Sequence, residues 1–177
     1  MKRKNAPRTN SKRESVAELV EGLASKRPAQ REKTRKQIVK IGHAAVIPLL
    51  HKLTDPAEHV RWEAAKALAE IADPAAADAL VDALGDGSSD VRWVAGEALI
   101  ALGWEGAKHV LVRLLRQGDS TDFCCNAHQV LSVFAKRRSG RFLKPVLEGL
   151  RGYEPGVNAP PAALIALKSL RKAAPIK

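Results

Sequence analysis

Aromatic residues are scarce in this chain, with three Trp, three Phe and one Tyr in 177 residues. A core built on large rings is therefore excluded, and Ala and Leu, which favour helices, take that place. No apolar run reaches the ~18 residues that a transmembrane helix needs. The basic stretch Met1 to Arg13 is not followed by an apolar one, so no secretory signal is expected and the cytoplasm is the default location. Cysteine is confined to Cys124 and Cys125, adjacent in sequence. Neighbours on a helix point about 100° apart, so a bridge between them would be strained, and reduced thiols are expected. No CxxC or HxxxH supplies a zinc framework. His43, His51, His59, His109 and His128 are scattered, and no nucleophile–base pair stands out. No catalytic residue, cofactor site or metal site is assigned.

Charge is abundant but uneven. Residues 1–40 carry 13 Lys and Arg against 4 acids, residues 41–119 carry 7 against 12, and residues 120–177 carry 10 against 3. Basic ends around an acidic middle suit a polyanion partner such as nucleic acid. They equally suit a solvated, solubilising tail.

The chain repeats itself. Val60-Arg61-Trp62-Glu63-Ala64-Ala65-Lys66-Ala67-Leu68 returns as Val91-Arg92-Trp93-Val94-Ala95-Gly96-Glu97-Ala98-Leu99, 31 positions on. A period of this length means stacked supersecondary units. Fainter copies follow in Ala127, Val130, Leu131 and Phe134, then in Ala163, Ala166, Leu167 and Leu170, and Thr34, Ile38 and Ile41 hold the matching columns before it. Partner helices fall between, near residues 44–53, at Ala76 to Leu84, at Val110 to Leu115 and at Leu143 to Leu150. Stops are expected at Gly42, Gly103 and Gly118, with a long loop from Gly152 to Asn158. Residues 1–14 lack apolar periodicity and are expected to be a disordered basic arm. Ser15, with Glu18 at capping-box spacing, starts a short leading helix over 15–25. The repeats occupy about 28–172, within one domain from 15 to 177. No hairpin can bury its apolar face alone, so the units must stack into an all-α solenoid.

Asp90-Val91-Arg92-Trp93, Ala95, Glu97-Ala98-Leu99 and Leu102-Gly103, together with Val60 to Ile71, resemble a HEAT repeat of the short kind in phycobilisome-lyase-type HEAT proteins. The chain also resembles uncharacterised bacterial HEAT-repeat proteins. The resemblance covers roughly residues 28–172. It implies a right-handed α-α superhelix of about four to five helical hairpins. It also implies a ladder between units made by the Asp and Arg of the motif. Such stacks serve as scaffolds, lyases, regulators and nucleic-acid binders alike, so function rests on particular residues.

Trp62 and Trp93 each have a small residue three positions on, Ala65 and Gly96. That pattern predicts packing between repeats, and a Trp93→Ala loss of about 3 kcal/mol or more. Asp90 is placed to cap its helix. Cys124 and Cys125 replace the Arg-Trp pair, and His128 falls in the Gly96 column. A Cys and a His three apart can share a metal, but two or three ligands do not close a zinc site. The plainer reading is small buried thiols beside an interfacial histidine. On the second helices, Asp78 and His109 share one outward column, and Asp82 and Arg113 another. With Lys144 and His128 they form the candidate partner surface. Lys2, Arg3, Lys4, Arg8, Lys12 and Arg13 of the arm, with the cluster Lys136, Arg137, Arg138 and Arg141, are the candidate phosphate contacts.

A non-catalytic interaction or scaffold module with a protein partner is the expected function. Nucleic-acid binding through the arm and the 136–144 patch is the alternative. A HEAT-like DNA glycosylase or a bilin lyase is a third reading. The first needs a basic groove with an inward carboxylate among aromatics, the second a chromophore pocket. No membrane partner is expected, and the sequence leaves the oligomeric state open.

Overall fold

The computed structural model describes residues 15–116 and 120–173, with side chains to residue 171. The arm, and with it Lys2, Arg3, Lys4, Arg8, Lys12 and Arg13, lies outside the described residues, as does Gly118.

Among the described residues the α-helices run in this order: α1 (Val16–Glu21), α2 (Pro28–Ile41), α3 (Val46–Lys52), α4 (Glu58–Ile71), α5 (Ala77–Asp82), α6 (Ser89–Ala101), α7 (Trp104–Arg113), α8 (Thr121–Ala135), α9 (Lys144–Arg151) and α10 (Pro155–Ala173). Short 3-10 turns join several of them. Local chemistry sets the ends. Ser15 and Glu18 close a capping box on α1. Pro28 stands in the first turn of α2, where its missing N–H costs nothing. Asp73 caps the turn Pro74–Ala76 ahead of α5. Ser88, not Asp90, caps α6, by accepting from the Val91 N–H at 3.4 Å. Asp90 already lies inside the helix, two residues past the capping position.

The helices form two layers. The first helices stack in a row, α2 on α4, α4 on α6, and α6 on α8. The second helices seat behind this row, α3 on α4, α5 on α6, and α7 on both α6 and α8. One continuous core runs from Val20 to Leu170. In the row the buried positions are mostly small, with Ala64, Ala65 and Ala67 on α4 and Ala95, Gly96 and Ala98 on α6. Small residues let two helices approach closely and bury both faces. The core is an all-α solenoid, as the periodicity predicts.

The end departs from the pattern. The stretch expected as a loop to Asn158 is helical from Pro155 onward. A fifth first helix would stack mainly on α8. Instead α10 packs on α9 and α7. Its predicted apolar positions Ala163, Ala166 and Leu170 are buried there, with Ala159.

Candidate interaction surface

Aligned by the repeat, the first helices present three columns. One reads Arg31, Trp62, Trp93, Cys125; the next reads Thr34, Ala65, Gly96, His128; the third reads Arg35, Lys66, Glu97, Gln129. At the N-terminal end the columns lock. The Glu63 carboxylate lies 3.3 Å from Arg31 and 3.1 Å from Arg35, and Arg35 reaches Glu70 at 2.7 Å. Both Arg35 and Glu63 are buried, so the paired charges are held by mutual contact rather than by water. The Arg35 guanidinium stands 5.9 Å from the Trp62 ring, and Lys66 5.8 Å from the same ring on behalf of its own helix. Trp62 is thus half-buried under cations, in accord with a packing role.

Trp93 does not follow. It is 56% exposed. Lys66 contacts it at 5.9 Å, but the α8 side of the ring borders a cleft of about 120 Å³. That cleft is lined by Arg92, Trp93, Glu97, Asn126 and Gln129, with Gly96 and Val130 below. The reason lies across the row, where α8 has Cys125 in the tryptophan column. The expectation of a buried, strongly stabilising Trp93 is therefore corrected: truncation should cost about 1 kcal/mol.

Arg92 contributes to the cleft wall yet is held elsewhere. Its guanidinium donates to the carbonyls of Asp86 (2.8 Å) and Gly87 (3.3 Å) and lies 3.7 Å from Asp122. Asn126 donates to the carbonyls of Asp122 (2.6 Å) and Leu84 (3.4 Å). Arg61 repeats the arrangement one unit earlier and adds a two-point pair with Asp86 at 2.7 and 2.9 Å. The inter-unit ladder therefore runs through Asp86 rather than Asp90. A wider cleft of 520 Å³ near the ends of α3 and α5 is lined by Leu53, Asp55, Arg61, Asp82 and Asp86, and this same pair occupies its one arginine.

The second-layer candidates come together in pairs. His109 Nδ1 sits 2.6 Å from Asp78 and its Nε2 3.1 Å from Glu105. Lys108 foremost, and His109 less so, hold the Glu105 carboxyl below its ordinary value although burial opposes this. Arg113 lies 3.7 Å from Asp82 and 5.0 Å from the Phe123 ring. Lys144 and His128 do not join them. Lys144 is exposed at the start of α9, and His128 is half-buried on α8. Burial, and then repulsion by Arg151, holds the His128 imidazole below its ordinary value, and its Nε2 is buried without a hydrogen bond.

Lys136, Arg137, Arg138 and Arg141 are all exposed, around the turn after α8, with Arg137 5.0 Å from the Phe134 ring. Sequence reasoning missed a second basic ridge, Lys33, Lys36 and Lys40 on α2. Counting charge does not show that Arg31 and Arg35 turn inward while these three face out. Cys124 is buried and Cys125 exposed, so the two thiols face different surroundings. The described residues hold no group of three metal-ligating side chains, and no helix among them is long and apolar enough to cross a membrane.

A family model described as HEAT repeats matches residues 16–100 and again 49–123. Two crystal structures of engineered proteins from a structural genomics consortium are similar to the chain. One shares 21% identity over 89% of this chain and 81% of that one, with a TM-score of 0.42. The other shares 18% over 90% and 97%, with a TM-score of 0.39. No curated protein matches.

Proposed function

Since the chain belongs to the HEAT-repeat family, we propose that it is a non-catalytic interaction module that docks a protein partner on the α6–α8 surface around Trp93. One observation carries this reading. In a chain so poor in aromatics, a tryptophan stands 56% exposed at the edge of a cleft, in a column where its predecessor is covered. Tryptophan is the side chain most enriched among residues that dominate protein interfaces, because a rigid ring buries much area at little entropic cost. The second-layer charges Asp78, Asp82, His109 and Arg113 already face one another across α5 and α7. They suit a polar rim better than an anchor. Neither Lys144 nor His128 lines the cleft beside Trp93. We place the protein in a reducing, cytoplasmic setting, which suits its two thiols.

The test is a capture experiment with the full chain on beads, in host lysate treated with nuclease, comparing wild type with Trp93→Ala. A protein should be retained by wild type and lost with Trp93→Ala, a change of about 2 kcal/mol or more in binding. Ile47→Ala, at another exposed apolar site on α3, should capture normally. The melting temperature of Trp93→Ala should stay within about 4 °C of wild type. Equal capture by Trp93→Ala would overturn the reading. Beads emptied by nuclease would favour phosphate contacts through Lys136, Arg137, Arg138 and Arg141 instead, with binding that falls steeply with salt.

A further inference from the structure

The third column of the first helices changes sign along the row, as Arg35, Lys66, Glu97 and Gln129. The tryptophan column beside it fills and then empties, as Trp62, Trp93 and Cys125. Together they make a stack of alternating cations and indoles across three helices: Arg35, then Trp62 at 5.9 Å, then Lys66 at 5.8 Å, then Trp93 at 5.9 Å. Each of these separations is within the reach of a cation–π contact. Trp62 has a cation from its own helix four residues on and another from α2. Trp93 has Lys66 from α4, but its own residue four positions on is Glu97, and α8 supplies no ring or cation in either column.

We propose that the cleft beside Trp93 takes the arginine or lysine side chain of a basic peptide segment, held between the indole face and the Glu97 carboxylate. The inference rests on the reading of this surface as the docking surface, and it names the chemistry of what docks. The indole face attracts positive charge through its quadrupole, and Glu97 supplies the opposite charge. No ion pair of Glu97 is present among the described residues. Gly96 adds no side chain to the floor, and Asn126 and Gln129 offer polar atoms along the α8 wall. The one cation in the wall, Arg92, is engaged by two carbonyls and faces Asp122. With Arg92 facing Asp122, Glu97 is the one carboxylate on the cleft lining and the charge there without an ion pair among the described residues. An anionic or phosphate ligand would meet Glu97 directly.

The test uses the full chain labelled with nitrogen-15 and reads the three indole N–H signals, assigned by single Trp→Phe variants. The probes are acetyl-triarginine amide, the tricitrulline peptide of the same shape without charge, and triglutamate. Triarginine should shift the Trp93 signal saturably and leave those of Trp62 and Trp104 in place. Its affinity should exceed that of tricitrulline by about tenfold, fall about fivefold with Glu97→Gln, and vanish with Glu97→Lys. Glu97 is exposed, so both variants should melt with wild type, which the same samples can report. Equal shifts by tricitrulline would make the slot merely apolar and overturn the proposal, as would binding of triglutamate or indifference to Glu97→Gln. Loss of partner capture with Trp93→Ala alongside silent triarginine would keep the docking surface and sink the cationic ligand. The reverse pair of results would keep the slot and sink the docking reading.

Discussion

Arg61 and Arg92 perform the same task one unit apart. Each Nη1 donates to the carbonyls six and five residues earlier, Arg61 to Asp55 and Pro56, Arg92 to Asp86 and Gly87. Each arginine thereby pins the loop that leads into its own helix. Arg61 also crosses to Asp86, and Asp86 accepts from the Ser88 N–H at 2.8 Å. Burial alone would raise the Asp86 carboxyl, but the Arg61 pair, the Ser88 N–H and the nearby Arg92 charge outweigh it and hold it below its ordinary value. A carboxyl depressed in the folded state stabilises fully above its unfolded value of about 3.9 and loses that contribution as pH falls through the folded value. Asp86→Asn should therefore cost about 1–2 kcal/mol at pH 7, and the gap from wild type should narrow as pH falls below about 4. Urea unfolding across that range measures it, and a gap independent of pH would refute the pairing. The arginine repeat was legible in the sequence, but its partner was not. Asp90 sits beside Arg92 in the chain, whereas Asp86 lies in the loop of the following unit relative to Arg61 and is brought close only by stacking. The two tryptophans carry the same lesson. Periodicity put Cys125 in the tryptophan column of the next unit; it does not say how much of the Trp93 ring that small side chain leaves uncovered.

Helix ends were the more legible scale, because turn chemistry is local. Gly42, Ala72 and Gly103 occupy equivalent junctions, and all three have positive φ, at 70°, 53° and 67°. Glycine meets that demand without a Cβ clash, whereas alanine in the left-handed region costs about 1 kcal/mol or more. Ala72→Gly should therefore stabilise the chain by about 0.5–1 kcal/mol after the added unfolded-state entropy is subtracted. That would raise the melting temperature by about 1–4 °C by calorimetry. A lower melting temperature would show that the junction carries no strain. The start of α10 was illegible for the opposite reason. Gly152 to Asn158, with Pro155 and Gly156 among them, read as loop, yet Pro155 stands at the first position of α10, where proline is tolerated, and the helix runs on through Pro160 and Pro161. A Cβ on Gly149 would come within 2.9 Å of the Asn158 backbone. The absence of that side chain lets α9 and the first turns of α10 cross closely, and this packing overrides local propensity.

For the whole molecule, the repeat period and the composition were enough to predict stacked hairpins. What they could not predict is where the stack ends, since the stripe Ala163, Ala166 and Leu170 fits either layer equally well. In a simple array each unit touches only its neighbours, and stability is a sum of local terms. The packing of α10 on α7 as well as on α9 breaks that rule, because it ties the last helix to the third hairpin and bypasses the α8 row position. Loosening α10 should then loosen α7. Leu170, 8% exposed near the end of α10, is the place to test it. Leu170→Ala should cost about 2 kcal/mol. Native-state hydrogen exchange should speed up at the amides of α7, α9 and α10 together and leave α2 and α4 unchanged. Acceleration confined to α9 and α10 would mean that the α7 contact transmits nothing, and that the array frays from its C-terminal end one unit at a time.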